Sequence, residues 1–423
     1  MNTSTLAHIA GIDFGTSNSS VALFRNGSPE LLNVAGQGRS IPSAIFYASD
    51  SAETSFGTQA LVNYTEDVEG RLLRSLKSVL GTALMQETTR IRNRRVAFDD
   101  IIGDFFGFLK NQLDQQIGSD TQNVVLGRPV HFIDDDIKRD QQAQSQLHNI
   151  ASSVGFKHIE FQYEPIAAAL NYESTLDAEA LVLIVDIGGG TADFSVVRAS
   201  PERHASLDRS EDVLGNMGVH IGGTDFDRLL SLHSVMPDLG FGTAVKNTDR
   251  LLPGSVYFDL ATWHRIPMLY NPQCLLQIRQ MRLDAVETAK VDSLAYIVEH
   301  RLGHALARTV ENAKISLSTD MTAKLQLDDN ATVLVNCSVD RADMEQSIRT
   351  SIEELTGCVT EGLVQAGVGS DDIACVFYTG GSSSVPCLQA AFAALLPTAV
   401  HTRGDLFGSV GLGLAIDAAR RFA

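Results

Sequence analysis

The sequence predicts an α/β protein of two related lobes, each a mixed β-sheet with flanking helices. Three observations carry that expectation. Apolar runs of strand length alternate with helical stretches along the chain. The early loop Gly11-Ile12-Asp13-Phe14-Gly15-Thr16-Ser17-Asn18 has a counterpart far along the chain, Val185-Asp186-Ile187-Gly188-Gly189-Gly190-Thr191-Ala192-Asp193. In both, an apolar run ends in Asp-x-Gly, passes through small hydroxyl residues and returns to an apolar run, the pattern of a β-hairpin with a glycine tip. A third glycine pair, Thr379-Gly380-Gly381-Ser382-Ser383, joins an apolar run to a helix. Glycine lets a ligand approach the backbone, and successive N–H groups at such tips form anion-binding concavities. Two tips, each with an aspartate at the strand end, imply a phosphate chain gripped from both sides with a cation between the carboxylates.

The elements follow in order. Strands are expected at His8–Phe14, Ser20–Arg25 and Ser43–Tyr47, where β-branched and aromatic residues gather. Helical character follows in Val62–Leu80 and Asp99–Ile117, then a strand at Asn123–Gly127 and a helix over Asp135–Val154. Ile159–Tyr163 reads as a strand, and Glu164-Pro165 opens the alanine-rich helix Ile166–Tyr172, where proline suits the first turn. Ala180–Val185 starts a second cycle of strand, glycine hairpin and strand. Met236–Pro272, too apolar to stay unfolded, reads as an insertion. Val298–Ser318 is a helix with the apolar stripe Leu302, Leu306, Val310, Ala313 and Leu317; by itself, its polar stripe Glu311, Lys314 and Ser318 reads as a solvated face. Strands at Leu325–Leu327 and Thr332–Val335, a helix over Arg341–Leu363, a strand at Ala374–Tyr378 and helices from Val385 and over Gly408–Phe422 complete the reading. Gly408, Gly411 and Gly413 read as easing helix packing.

Composition bounds the function. At 423 residues the chain is long enough for about three compact units. With 33 basic against 51 acidic residues the net charge is −18, which disfavours nucleic acid and anionic lipid as partners. No apolar run is long enough to span a membrane, and Met1–Ala10 has no signal-peptide pattern. Five scattered cysteines without C-x-x-C spacing point to a reducing compartment, hence the cytoplasm, and away from structural zinc.

The phosphate-binding motif is not a P-loop, a G-x-G-x-x-G turn or a kinase signature, since none of these occurs. The hairpin pair must supply the grip, which is the arrangement of the actin-like ATPase fold. Gly11–Ser17, Glu164–Ala169, Asp186–Asp193, Gly222-Gly223-Thr224-Asp225-Phe226-Asp227 and Thr379–Ser383 recur in the same order in DnaK-type chaperones. The chain thus resembles the heat-shock protein 70 family. Its Gly127-Arg128-Pro129 segment and early end look most like the YegD-type chaperones that lack the peptide-binding domain.

The resemblance implies roles. Asp13 and Asp186 hold Mg²⁺, mostly through its waters. Gly15, Thr16, Ser17 and Asn18, with Gly188, Gly189, Gly190 and Thr191, cradle the phosphates of ATP or ADP. Lys77, Glu164, Asp186, Thr191 and Asp193 form the hydrolytic set. Alone, Lys77 would read as part of a solvated basic stripe with Arg71 and Arg74 on one helix. Gly222, Gly223, Glu311, Lys314, Ser318, Gly380, Gly381, Ser382, Ser384 and Asp405 match nucleoside-proximal positions. Ile315 and Ser384 stand where the family carries two arginines against adenine, which puts base affinity and selectivity in question. Pro129 and Arg139 match a proline-centred relay between the lobes.

The expected organisation is lobe I at 1–175 with 400–423 returning to it and a subdomain at about 41–115, and lobe II at 176–399 with a subdomain at about 225–345. No peptide-binding domain is expected, so clients would meet the ATPase lobes themselves. The implied function is Mg²⁺-dependent ATP binding and slow hydrolysis in a chaperone-like conformational switch. Unfolded clients, a co-chaperone or an exchange factor would be partners, with a monomer favoured. The alternatives are a non-hydrolysing, nucleotide-gated interaction protein and an actin-like filament former.

Overall fold

The computed structural model describes residues 9–66, 68–133, 136–173, 176–330, 332–404 and 408–422. The chain divides into two compact units, against the three that length suggests. One comprises Met1–Val219, Cys358–Ser383 and Phe392–Ala423; the other comprises His220–Gly357 and Ser384–Ala391.

The first unit begins with β1 (Ile9–Phe14), β2 (Asn18–Arg25), β3 (Ser28–Leu31) and β4 (Ile41–Pro42). A smaller region follows: β5 (Ala44–Ala48), β6 (Thr54–Phe56), α1 (Thr58–Thr65), β7 (Gly70–Arg74), β8 (Thr88–Ile91) and β9 (Arg94–Ala97). Then come α2 (Phe98–Ile117), β10 (Asn123–Arg128), α3 (Ile137–Ser153), β11 (His158–Tyr163) and α4 (Glu164–Glu173). The second cycle is β12 (Ala180–Ile187), β13 (Ala192–Ala199) and β14 (Val213–Val219).

The second unit carries α5 (Gly223–Leu230), α6 (Ser255–Ala261), α7 (Pro272–Asp284), α8 (Thr288–Glu299), α9 (Gly303–Leu317) and the hairpin β15 (Thr322–Asp329) and β16 (Thr332–Asp340). Helix α10 (Arg341–Ala366) leads back to β17 (Ile373–Thr379), α11 (Pro386–Leu395), β18 (Val400–Arg403) and α12 (Ser409–Phe422).

Among the described residues of the first unit, two sheets repeat one topology. The first runs β11-β10-β1-β2-β3, with β4 beside β2; the second runs β14-β13-β12-β17-β18. In each, the leading strand (β1 or β12) pairs antiparallel with the next strand and parallel with a much later one. These central strands are almost wholly buried, so their sequences read as continuous apolar runs. Helices α4 and α12 pack in a core formed by Ile166–Leu170 and Leu414 with Ile9, Val125, Val182, Ile184 and Cys375. The two helices touch backbone to backbone: a Cβ placed on Gly413 would fall 1.8 Å from the Ala167 carbonyl oxygen. Gly411 also packs closely, a Cβ there falling 2.5 Å from the Ser20 hydroxyl, so both glycines serve close packing as expected. Beneath the first sheet, α2 sets Phe106 edge-on to Phe14 at 5.1 Å between ring centroids.

Two expectations are corrected. The helix expected over Val62–Leu80 is α1, then β7, then a short 3₁₀ turn at Leu76–Val79. Pairing of β7 with β5, Ala44↔Arg74 through Ala48↔Gly70, overrides the helical pattern, and Gly70 sits directly on the Phe46 ring. Arg71 and Arg74 therefore belong to a strand, and Lys77 follows it on the turn. The helix expected over Val298–Ser318 is the end of α8 and all of α9, broken where Arg301 adopts φ 55°. His8, where the first strand is expected to begin, lies outside the described residues. The Met236–Pro272 stretch is folded, as its apolar content requires, with Tyr257, Leu260, Ile266 and Leu269 buried.

Candidate functional site

The hairpin registers place the two aspartates. Asp13 lies opposite Ser20, and Asp186 lies opposite Asp193, each at the end of a central strand. The first tip is braced from outside. Ser43 donates its hydroxyl to the Gly15 carbonyl at 2.7 Å and its N–H to Ser17 O at 2.9 Å, and its hydroxyl lies 2.8 Å from that of Ser19. The second tip closes on itself, Gly188 N–H donating to Thr191 O at 2.9 Å, and is held by the Ser382 hydroxyl on Gly188 O at 3.0 Å.

These tips meet. A Cβ on Gly189 would lie 2.5 Å from the Ser17 hydroxyl oxygen. Gly380 adopts φ +76°, and a Cβ there would lie 2.5 Å from Asp186 Oδ1 and 2.4 Å from Ile187 O. Only glycine fits so close a backbone approach in the left-handed region. Gly190 faces open space, and Thr16 and Thr191 are half-buried on their tips. Asn18 opens β2 and pairs with Pro42. The first unit thus brings together both hairpin tips and the Gly380-Gly381-Ser382 segment.

Charge at these tips is lopsided. Lys77 Nζ donates to Glu164 Oε1 at 2.5 Å; both side chains are largely buried. Burial works against the Lys77 charge, but Glu164, Asp13 and Asp193 outweigh it and leave its pKa raised. Asp13 is pushed up to about 7, by burial first and then by Glu164, with Lys77 opposing. Asp186 is pushed up to about 8, by burial and then by Asp193, Glu164 and Asp13. Four carboxylates share one ammonium, and this shortage of positive charge suits a divalent cation beside Asp13 and Asp186. Among the described residues no group of three or more His, Cys, Asp or Glu is arranged to bind a metal directly.

The turn carrying Lys77 is itself clamped by α3. Arg139 Nε donates to Gly81 O at 2.9 Å, and Gly81 N–H donates to Gln146 Oε1 at 2.8 Å. Arg128, at the end of β10, donates to Asp140 at 2.8 Å and to the Pro129 and Val130 carbonyls. One face of α3 therefore holds both the Lys77 turn and the Pro129 segment.

In the second unit, Gly222 caps α5, and the Gly222 N–H donates to Asp225 Oδ2 at 3.1 Å. Lys314, buried on α9, donates to Gly223 O at 3.1 Å and pairs with Asp227 at 2.7 Å. Burial pushes Asp227 up to about 6 against the pull of Lys314. Glu311 is exposed, Ser318 is half-buried with its hydroxyl over Lys314 O, and Ile315 is 58% exposed. Lys314 thus ties α9 to α5 at Gly223 and Asp227. Ser384 ends the turn Gly381–Ser384. Asp405 lies outside the described residues.

Sequence reasoning missed Ser43, Gln146 and Asp227. Ser43 and Gln146 act by hydrogen bonds to loop backbone, which leave no spacing signal. Asp227 was visible within Gly222–Asp227 but carried no mark of its partner. No described helix is long and apolar enough to cross a membrane.

Two sheets of one topology, each leading into a glycine hairpin with an aspartate at the strand end, define an actin-like α/β ATPase fold. The family is more particular. The Hsp70 protein family model matches residues 9–99, 91–237 and 286–419, and the chain belongs to that family. The chain is 24% identical over 388 residues to the chaperone protein DnaK of Mycoplasma mobile, covering 90% of this chain and 53% of that protein. It is 24% identical over the same length to the chaperone protein DnaK of Metamycoplasma hominis. It is 29% identical over 242 residues to a chaperone protein HscA homolog of Vibrio vulnificus, covering 52% of this chain and 36% of that protein. The chain spans about half the length of the DnaK proteins it matches. Residues 238–285, within and beyond the expected insertion, fall outside the family match.

Proposed function

We propose that the protein binds ATP with Mg²⁺, hydrolyses it slowly and works as a chaperone-like, nucleotide-driven switch. The observation that carries this reading is the meeting of the Asp13 and Asp186 hairpins beside the Lys77–Glu164 pair. Asp13 and Asp186 hold the waters of the cation, which when bound neutralises phosphate charge. Ser17, Thr16, Asn18, Gly15 and the Gly188–Gly190 amides grip the phosphates, and Thr191 offers its hydroxyl to the terminal one. Asp193 and Glu164 orient the attacking water, and Lys77 adds positive charge where negative charge develops. Such a site works by positioning and electrostatics and needs no covalent intermediate.

By resemblance to the family, Gly222, Gly223, Glu311, Lys314 and Ser318 would serve the nucleoside, as would Gly380–Ser382, Ser384 and Asp405. An exposed Ile315 offers the base an apolar surface without a guanidinium to stack on it, so adenine is held less tightly and less selectively than a cation–π sandwich would hold it. The division into lobe I (1–175 and 400–423) and lobe II (176–399) is the one along which the switch would act. Partners are unfolded clients or an exchange factor. Five unbridged cysteines favour the cytoplasm.

Steady-state phosphate release tests the chemistry. Lys77→Ala and Asp186→Asn should each lose about 10²–10³-fold in turnover, the scale for removing one electrostatic stabiliser. Equal rates in the wild type and both variants would sink the site assignment. Tight Mg²⁺-ATP binding without single-turnover release would leave a nucleotide-gated binding protein instead.

A further inference from the structure

The chain is strongly acidic, yet one short hairpin concentrates arginine. Strands β8 and β9 form a two-stranded sheet paired to no other strand among the described residues, and the hairpin they make carries Arg90, Arg92, Arg94 and Arg95 within six positions. Arg92 is structural. It sits at the turn with φ 53° and spends its guanidinium on the Ala48 carbonyl at 2.8 Å and the Glu53 carbonyl at 2.7 Å, fixing the hairpin to the β5–β6 turn. The other three are displayed. Arg90, Arg94 and Arg95 are exposed, and none is ion-paired among the described residues. Arg90 and Arg95 are direct cross-strand partners, a like-charge pairing that destabilises a hairpin unless something neutralises it. Together with Glu87, Thr88 and Asn93 they line an open cleft of about 500 Å³.

We propose that this arginine hairpin is a docking surface for an acidic stretch of a partner protein, whose carboxylates sit between Arg90, Arg94 and Arg95. The forked guanidinium matches carboxylate geometry in two-point contacts. A facing pair of unneutralised arginines gains most from such a partner. Nucleic acid fits less well. No aromatic side chain lines the cleft to stack a base, and a long polyphosphate would meet the field of a chain with net charge −18. A short acidic peptide needs only the local patch.

Fluorescence anisotropy with a labelled oligoglutamate peptide tests this on the full chain, with an oligoserine peptide and an oligothymidylate as comparison probes. The oligoglutamate should bind, weaken as salt rises, and lose about tenfold or more in affinity in the triple variant Arg90→Gln, Arg94→Gln, Arg95→Gln. Arg94→Gln alone should lose less while keeping the wild-type circular dichroism. Arg95→Gln should raise the melting temperature of the unliganded protein by relieving the cross-strand pair, and oligoglutamate should stabilise wild type more than this variant. Oligoglutamate binding no stronger than oligoserine, or unchanged in the triple variant, overturns the proposal. So does tighter binding of oligothymidylate, which would assign the hairpin to nucleic acid.

Discussion

The two aspartate hairpins of the first unit share a topology and differ in how they are supported. The first tip leans on a residue outside its own sheet path: Ser43 reaches both Gly15 and Ser17 and meets Ser19. The second tip is self-closed and receives one hydroxyl, from Ser382 on the segment after β17. Their carboxylates also differ. Asp13 faces Glu164 and Lys77, whereas Asp186 has Asp193 directly across its own hairpin and is pushed higher. Repetition of a fold thus fixes where an acidic group stands at a strand end. The loops brought up against it decide how firmly the tip is held and how much like charge it must bear.

The sharpest way to break the second hairpin is Gly380→Ala. A methyl there meets both Asp186 and the Ile187 carbonyl in a left-handed backbone, so a loss of roughly 2–4 kcal/mol of stability is expected in urea titration. A loss below about 0.5 kcal/mol would mean that the approach relaxes at little cost.

Titration separates the two aspartates next. Each carboxyl is raised from an ordinary 3.8, so the folded chain keeps protons that the unfolded chain has released. Stability of the ligand-free protein should therefore fall as pH rises from about 4 through 7 and 8. Asp186→Asn removes the larger share of that slope and should raise the melting temperature near pH 8 by a few degrees, roughly 2–4 °C. Asp13→Asn should do the same to a lesser extent. A variant that melts below wild type at that pH would show that these carboxylates are not strained by their neighbours.

The braces give the smallest effects. Ser43→Ala strips two hydrogen bonds from the first tip and should cost about 1–2 kcal/mol, while Ser382→Ala strips one and should cost about 0.5–1 kcal/mol. The reverse order would mean that the second tip depends on its outside support more than the first.

Sequence alone carried the sheets and hairpins well, because central strands buried on both faces leave uninterrupted apolar runs and glycine tips punctuate them. It failed between Val62 and Leu80, where periodicity suited a helix but an available sheet edge at β5 took the segment. The candidate site was legible in parts. Asp13 and Asp186 announced themselves by repetition. The Lys77–Glu164 contact joins residues far apart in the chain, and Lys77 was assigned only through resemblance. Support from Ser43, Gln146 and Asp227 could not be read, since a hydrogen bond to a distant backbone group imposes no pattern on its own neighbourhood.

The seam between α4 and α12 has a mechanical consequence. Helices usually lock because side-chain ridges drop into grooves, and the depth of that corrugation sets the cost of sliding. Here Gly413 rests directly on the Ala167 backbone, within a core that also holds Ile166, Leu170, Val410 and Leu414. A contact of this kind couples the two helices backbone to backbone, so a small displacement of one is passed to the other, the shear by which packed helices transmit motion. Glu164 stands at the first turn of one of those two rods. A shift of that carboxylate along its axis would therefore be felt at Gly413.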